Sequence, residues 1–334
     1  MKCIIRIRGI AMVLFLGLTD AAAKPIPARN QMPLYLFYLQ MLPEEASVTG
    51  RDKAVISADY TLSNITVSCF TPASSLYDIQ IDMEINRYEL GFKYGVYENL
   101  ELGIEVPYMS FSSGYTDNLV EGFEDAVNAR TPRSRERQGT DKFDYTFRYN
   151  GVYLINKKDS TEGLGDIVLN AKYQLLREGA WIPNFSLRSA LKLPTGEKDD
   201  LLGSGEFDYG FGILADKSFF ERFFIYGGFN AVFIESPGFF SVLGMDEQIY
   251  SFMLAAEYFF TPRFSLVTQC TGNTTPYPFS DTNVLDNEGY EAGLGVNYIW
   301  KEKKNVSWRF AVIENIGAAS SPDVTFNTGL SVRF

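Results

Sequence analysis

A period of two recurs, segment after segment, along most of this chain, and it restricts the possible folds more than any other feature. At the C-terminal end Val324, Phe326, Thr328, Leu330, Val332 and Phe334 share one parity, and Thr325, Asn327, Gly329, Ser331 and Arg333 the other. Successive side chains of a β-strand point to opposite faces, so this stretch reads as a strand with one apolar and one polar face. The same test succeeds at 290–300, 250–260, 207–214, 166–175 and 100–108. Each segment is about ten residues long, enough for a tilted strand to cross a bilayer.

The connections come in two sizes that alternate. Short links lie at Glu98-Asn99, 178–180, Phe220-Glu221, Thr261-Pro262 and 301–305; long ones run over 112–163, 195–206, 235–247, 271–288 and 317–323. Short turns on one rim and long loops on the other characterise a transmembrane barrel. An open sheet edge in lipid would leave backbone groups unpaired at several kcal/mol each, so the sheet must close. The expectation is therefore all-β: an antiparallel transmembrane β-barrel of about twelve strands, with short periplasmic turns and long extracellular loops. Tyr108, Trp181, Phe220, Phe223, Tyr258, Phe260, Trp300, Trp308 and Phe334 fall near strand ends, where aromatic rings sit at headgroup level.

Two segments break the pattern. Ile79, Ile81, Met83 and Ile85 hold one parity, whereas Tyr88, Leu90, Phe92, Tyr94 and Val96 hold the other; the first strand slips likewise between Leu62 and Ile65. A bulge would do this, but the matching slips favour two strands that leave the membrane together as a paired extension.

The N-terminus, "MKCIIRIRGIAMVLFLGLTDAAAK", has Lys2, Arg6 and Arg8, a short apolar run and Ala21-x-Ala23. It reads as a secretory signal peptide over 1–23, cut before Lys24; its apolar run is too short for a transmembrane anchor. Residues 24–50 then form either a periplasmic tail or a plug in the lumen, and 51–334 form the barrel. Bacterial outer-membrane localisation follows as an expectation. The chain carries a net charge of −11 without basic clusters, which argues against a nucleic-acid partner. There is no histidine, so His-dependent nucleophile activation, general base work and metal ligation are closed to it. "LKLPTGEKDDLLGSGEFDYG" has no Gly-Lys-Ser/Thr and is no phosphate loop. No catalytic residue, metal site or cofactor is expected, and the protein is not read as an enzyme. Cys3 leaves with the leader, and whether Cys69 and Cys270 pair is not decided by sequence.

Parity places Glu101, Glu105, Lys172, Arg188, Lys192, Glu257, Glu291, Arg309 and Arg333 toward the lumen, with Glu89 and Lys93 beside them. Both signs are present, whereas a strongly selective porin would show one. In the longest loop, Leu119, Phe123 and Val127 form an apolar stripe at helical spacing, read as a mouth helix that either gates a pocket or lids the rim. Arg133, Arg135 and Arg137 follow it and could meet lipopolysaccharide phosphates.

The blocks "YGVYENLELGIEVPY", "GLGDIVLNAKYQLL" and "LKLPTGEKDDLLGSGEFDYGFG" resemble the bacterial outer-membrane family called domain of unknown function 3187. More distantly the chain is similar to the porins encoded with phenol-degradation pathways and to long-chain fatty-acid channels. The resemblance implies a barrel and, for the distant relatives, uptake of hydrophobic or aromatic compounds; it transfers no functional residue. It also suggests that "RNQMPLYLFYLQMLPEEA" enters the lumen, as in the fatty-acid channels, and that the barrel assembly machinery reads Phe334. The functional expectation is a channel or transporter for small apolar compounds, embedded in outer-membrane lipid and lipopolysaccharide. The alternative is a non-conducting, surface-exposed binding or structural protein.

Overall fold

The computed structural model describes residues 24–334 apart from 71–75, 115–142, 221, 281, 301–304, 317–319 and 323. Its strands are β1 (Ala54–Phe70), β2 (Tyr77–Tyr97), β3 (Leu100–Ser112), the short β4 (Asp144–Tyr149), β5 (Val152–Lys157) and β6 (Thr161–Leu164), then β7 (Ile167–Leu176) and β8 (Asn184–Leu193). They continue with β9 (Asp208–Phe219), β10 (Phe223–Phe233), β11 (Gln248–Thr261), β12 (Phe264–Asn273), β13 (Gly289–Ile299), β14 (Val306–Asn315) and β15 (Val324–Arg333). Leaving aside β4, β5 and β6, the strands form a closed antiparallel barrel of 12. Closure is made by β1 on β15, in register from Val55 opposite Arg333 to Asn64 opposite Val324. Beyond it, Phe334 N–H donates to the Ala54 carbonyl at 2.8 Å and the Phe334 carbonyl accepts from Ala54 N–H at 3.3 Å, so the last residue is part of the seam.

The two parities separate as a barrel requires. Leu90, Phe211, Leu254 and Leu330 project outward and are exposed, whereas Glu257, Ser265, Asn327 and Glu101 turn inward and are buried. Apolar outside and polar inside is the inverse of a soluble protein, and it follows from lipid as the outer solvent.

β1 and β2 do extend beyond the others. Their pairing runs without a register shift from Ala54 opposite Tyr94 to Phe70 opposite Asp78, so there is no bulge at Asn86-Arg87. At about 3.3 Å per residue, β2 is far longer than a hydrocarbon layer of about 30 Å requires. The apparent slip is a change of surroundings. Ile79, Ile81, Met83 and Ile85 point the same way as Arg87, Glu89 and Lys93, but the outer half of the strand faces an apolar core and the inner half a polar lumen.

The segment 112–163 is more than a loop. β4 pairs with the outer half of β2, β5 pairs with β4, and β6 lies on the outer end of β3. Tyr145, Phe147 and Ile155 are buried there and join the core above the lumen. The β4–β5 turn is Asn150-Gly151, both at positive φ (48° and 76°), the tight hairpin connection that Asn-Gly favours. Leu119, Phe123 and Val127 lie outside the described residues.

Candidate functional site

The lumen is occupied by the chain itself. Residues 24–50 contain no strand and run inside the barrel, from the short-turn half up to the long-loop mouth and back. Irregular backbone in an enclosed space needs partners for its N–H and C=O groups, and the wall supplies them. Gln269 of β12 both accepts from Ile26 N–H and donates to its carbonyl, each at 2.9 Å. Leu39 N–H donates to Asp208 of β9 at 2.8 Å and Ala46 N–H to Asp216 at 2.6 Å. Thr49 N–H donates to Glu101 of β3 at 2.7 Å. Arg188 of β8 donates to the Leu42 carbonyl at 2.5 Å, and Lys192 to that of Phe37 at 2.6 Å.

Two charged clusters anchor the segment midway. On the descending limb, Glu44 meets Lys93 of β2 at 2.6 Å, Lys172 of β7 at 2.9 Å and Arg188 at 3.1 Å. Burial alone would raise the Glu44 carboxyl, but Lys172, Lys93 and Arg188 outweigh it and hold the group well below the usual carboxylate range. Glu101 lies 3.4 Å from Lys172 and 3.7 Å from Lys93 and balances the surplus positive charge. On the ascending limb the signs reverse: Arg29 bridges Glu89 of β2 at 2.6 Å and Glu105 of β3 at 3.0 Å, with Arg87 on Glu89 at 2.9 Å.

The residues that parity sends inward are thus brought together mainly through residues 24–50, not across the lumen. Glu101, Glu105, Lys172, Arg188 and Lys192 all touch the segment. Lys192 also holds Asp166 and Asp208, each at 3.1 Å. Arg309 pairs with Asp59 across the seam, where glycine at 329 leaves the room. Glu257 accepts from Tyr226, Ser265 and Asn297; Glu291 and Arg333 line cavities. Arg29 and Glu44, the segment's own anchors, and Asp166, Asp208, Asp216 and Gln269 were not singled out in sequence. All four wall residues stand at polar positions beside or within strands, which was the available signal.

Toward the long-loop end the interior becomes apolar. Leu34, Tyr35, Phe37 and Tyr38, at the top of the segment, pack with Ile79, Ile81 and Ile85 of the extension, with Phe147 and with Phe240 and Tyr277 of the long loops. The rings meet edge to face, Phe240 with Tyr277 at 5.7 Å and Tyr35 with Tyr277 at 6.2 Å between centroids. Of the open spaces that flank the segment, two are the larger. One of about 100 Å³ lies in the short-turn half among Lys93, Glu101, Arg309 and Arg333; another of about 50 Å³ lies nearer the mouth beside Tyr35, Tyr38 and Glu291.

The chain belongs to the protein family of unknown function DUF3187, whose pattern matches residues 19–334. No curated protein matches it. Among solved structures it is similar to the COG4313 outer-membrane channel from Pseudomonas putida F1, at a TM-score of 0.56 and 15% identity over 89% of this chain and 98% of that one. At that identity the likeness concerns the fold. Weaker likenesses are to the KdgM porin (TM-score 0.43, 10% identity, 83% and 99% covered) and the Ralstonia pickettii toluene transporter TbuX (0.41, 11%, 85% and 89%).

Proposed function

We propose that the protein is an outer-membrane channel for small hydrophobic or aromatic compounds, held closed by residues 24–50 acting as a plug. One observation carries this reading: the inner face is charged at mid-lumen and turns into an apolar, aromatic-rich core at the mouth, built from Tyr35, Phe37, Tyr38, Phe147, Phe240 and Tyr277. A hydrophilic solute would have to leave water to pass that end, whereas an apolar one gains roughly 25 cal/mol per Å² of surface it buries there. The barrel fold shared with an outer-membrane channel agrees with this placement. The two midway clamps on the segment, at Glu44 and at Arg29, are ionic, and an ionic clamp can be broken without unfolding the wall.

The rival reading, a non-conducting binding or structural barrel, is favoured by the size of the free spaces. About 100 and 50 Å³ are well below the roughly 300 Å³ at which ligand pockets begin. Planar-bilayer conductance and liposome uptake of a small aromatic probe decide between the two, using the full protein and a variant lacking residues 29–46. The channel reading expects a closed full-length protein and an open truncated one; no current and no uptake in either form would sink it.

A further inference from the structure

Glu257, on the lumen face of β11, is fully buried, and among the described residues no lysine or arginine side chain pairs with it. Its side-chain partners are neutral: Tyr226 O–H donates at 3.0 Å, Asn297 Nδ2 at 2.9 Å, and Ser265 O–H also donates. A further donor is the backbone nitrogen of Lys24. Asn297 ties the two together, since its Nδ2 also reaches the Lys24 carbonyl at 3.2 Å. The Lys24 side chain runs elsewhere, lining the larger cavity in the field of Glu45.

Lys24 is the residue that follows the Ala21-x-Ala23 processing signal. Hydrolysis of the Ala23–Lys24 amide by the export signal peptidase consumes one water, leaves a carboxylate on Ala23 and frees the Lys24 amine, which takes up a proton. An α-amine has an ordinary pKa of about 7.7–8, so at neutral pH it is largely an ammonium. We propose that Glu257 is the binding site for this α-ammonium group, so that processing itself completes an ion pair inside the barrel. The geometry accounts for two facts together: a buried carboxylate that lacks a cationic side chain, and a main-chain nitrogen beside it at the one position where cleavage creates charge. Before cleavage the same nitrogen is a neutral amide. The ion pair therefore distinguishes the processed chain from its precursor and seats the free end of residues 24–50 only after export.

The test uses the purified, folded barrel, with intact mass and N-terminal sequencing to establish where the chain starts. An aldehyde reagent selective for α-amines is then applied to folded and urea-unfolded protein. The expectation is a chain beginning at Lys24 whose α-amine reacts about tenfold more slowly when folded, with Glu257→Gln removing most of that protection, because a buried charge left without its partner is costly. Folding of the variant is read from heat-modifiable electrophoretic mobility. A second variant, with Gly-Ser inserted between Ala23 and Lys24, keeps every barrel residue and carries the ammonium away from Glu257; it should lose the protection as well. The proposal is overturned by a chain that starts elsewhere, by equal reactivity of folded and unfolded wild type, or by full protection in either folded variant.

Discussion

At the scale of the residue, Glu44 gathers cations from three strands of the wall. Replacing it with Gln leaves Lys93, Lys172 and Arg188 facing one another with Glu101 and, without a direct salt bridge, Glu45 and Glu105 to balance them, and should weaken docking of the segment by about 3 kcal/mol. The expected reading is frequent channel openings in a bilayer where the wild type is quiet; an equally quiet variant would remove Glu44 from the clamp. The acid side of the profile follows from the same group. Its carboxyl is held below the ordinary value, so its contribution is complete above the free-chain pKa of about 4.3 and fades as pH falls toward the lower docked value. Conductance should stay low from pH 8 to 5, with openings appearing only below about pH 4. Openings that begin near neutral pH would point to another group.

At the scale of the element, the exit of the segment is fastened to β2 at Gly95, which exchanges backbone hydrogen bonds of 2.9 Å with Asp52 and Lys53. A side chain at Gly95 would collide with the backbone carbonyl of Gly50, and backbone has little freedom to yield. Gly95→Val is expected to leave the barrel folded, by heat-modifiable mobility, yet raise protease sensitivity within 41–53; unchanged cleavage would mean that the turn relaxes without moving the segment. The strands themselves were legible because lipid and lumen impose opposite demands on adjacent residues, and that contrast is written into every second position. The extension of β1 and β2 was legible for the complementary reason: Ile79 to Ile85 keep their direction while their surroundings turn dry. The β4–β5 hairpin is less legible although Asn150-Gly151 announces its turn, because Tyr145 and Phe147 stand within a long polar stretch whose pattern does not separate strand from loop. The ionic clamps were half legible. Parity gives the wall residues, but which of them Glu44 or Arg29 reaches depends on how strands far apart in sequence, such as β2 and β8, curve around one interior.

At the scale of the whole molecule, the ring is completed where β15 meets β1, and Phe334 shares its backbone hydrogen bonds with Ala54 in that seam. Deleting Phe334 should reduce the yield of folded, heat-modifiable barrel in the outer membrane more than deleting one residue from 115–142; equal yields would show that the terminal residue contributes nothing special to assembly. Residues 24–50 begin near Asn297 in the short-turn half, climb to Tyr35 and return to Gly95 at the short-turn rim. In topological language this is a slip-loop and not a thread: both of its legs point toward the same opening, and only its bend reaches the aromatic roof. It can be drawn out like a bight of rope, with every wall strand still bonded to its neighbours, so the sheet need not come apart for the interior to be emptied or refilled.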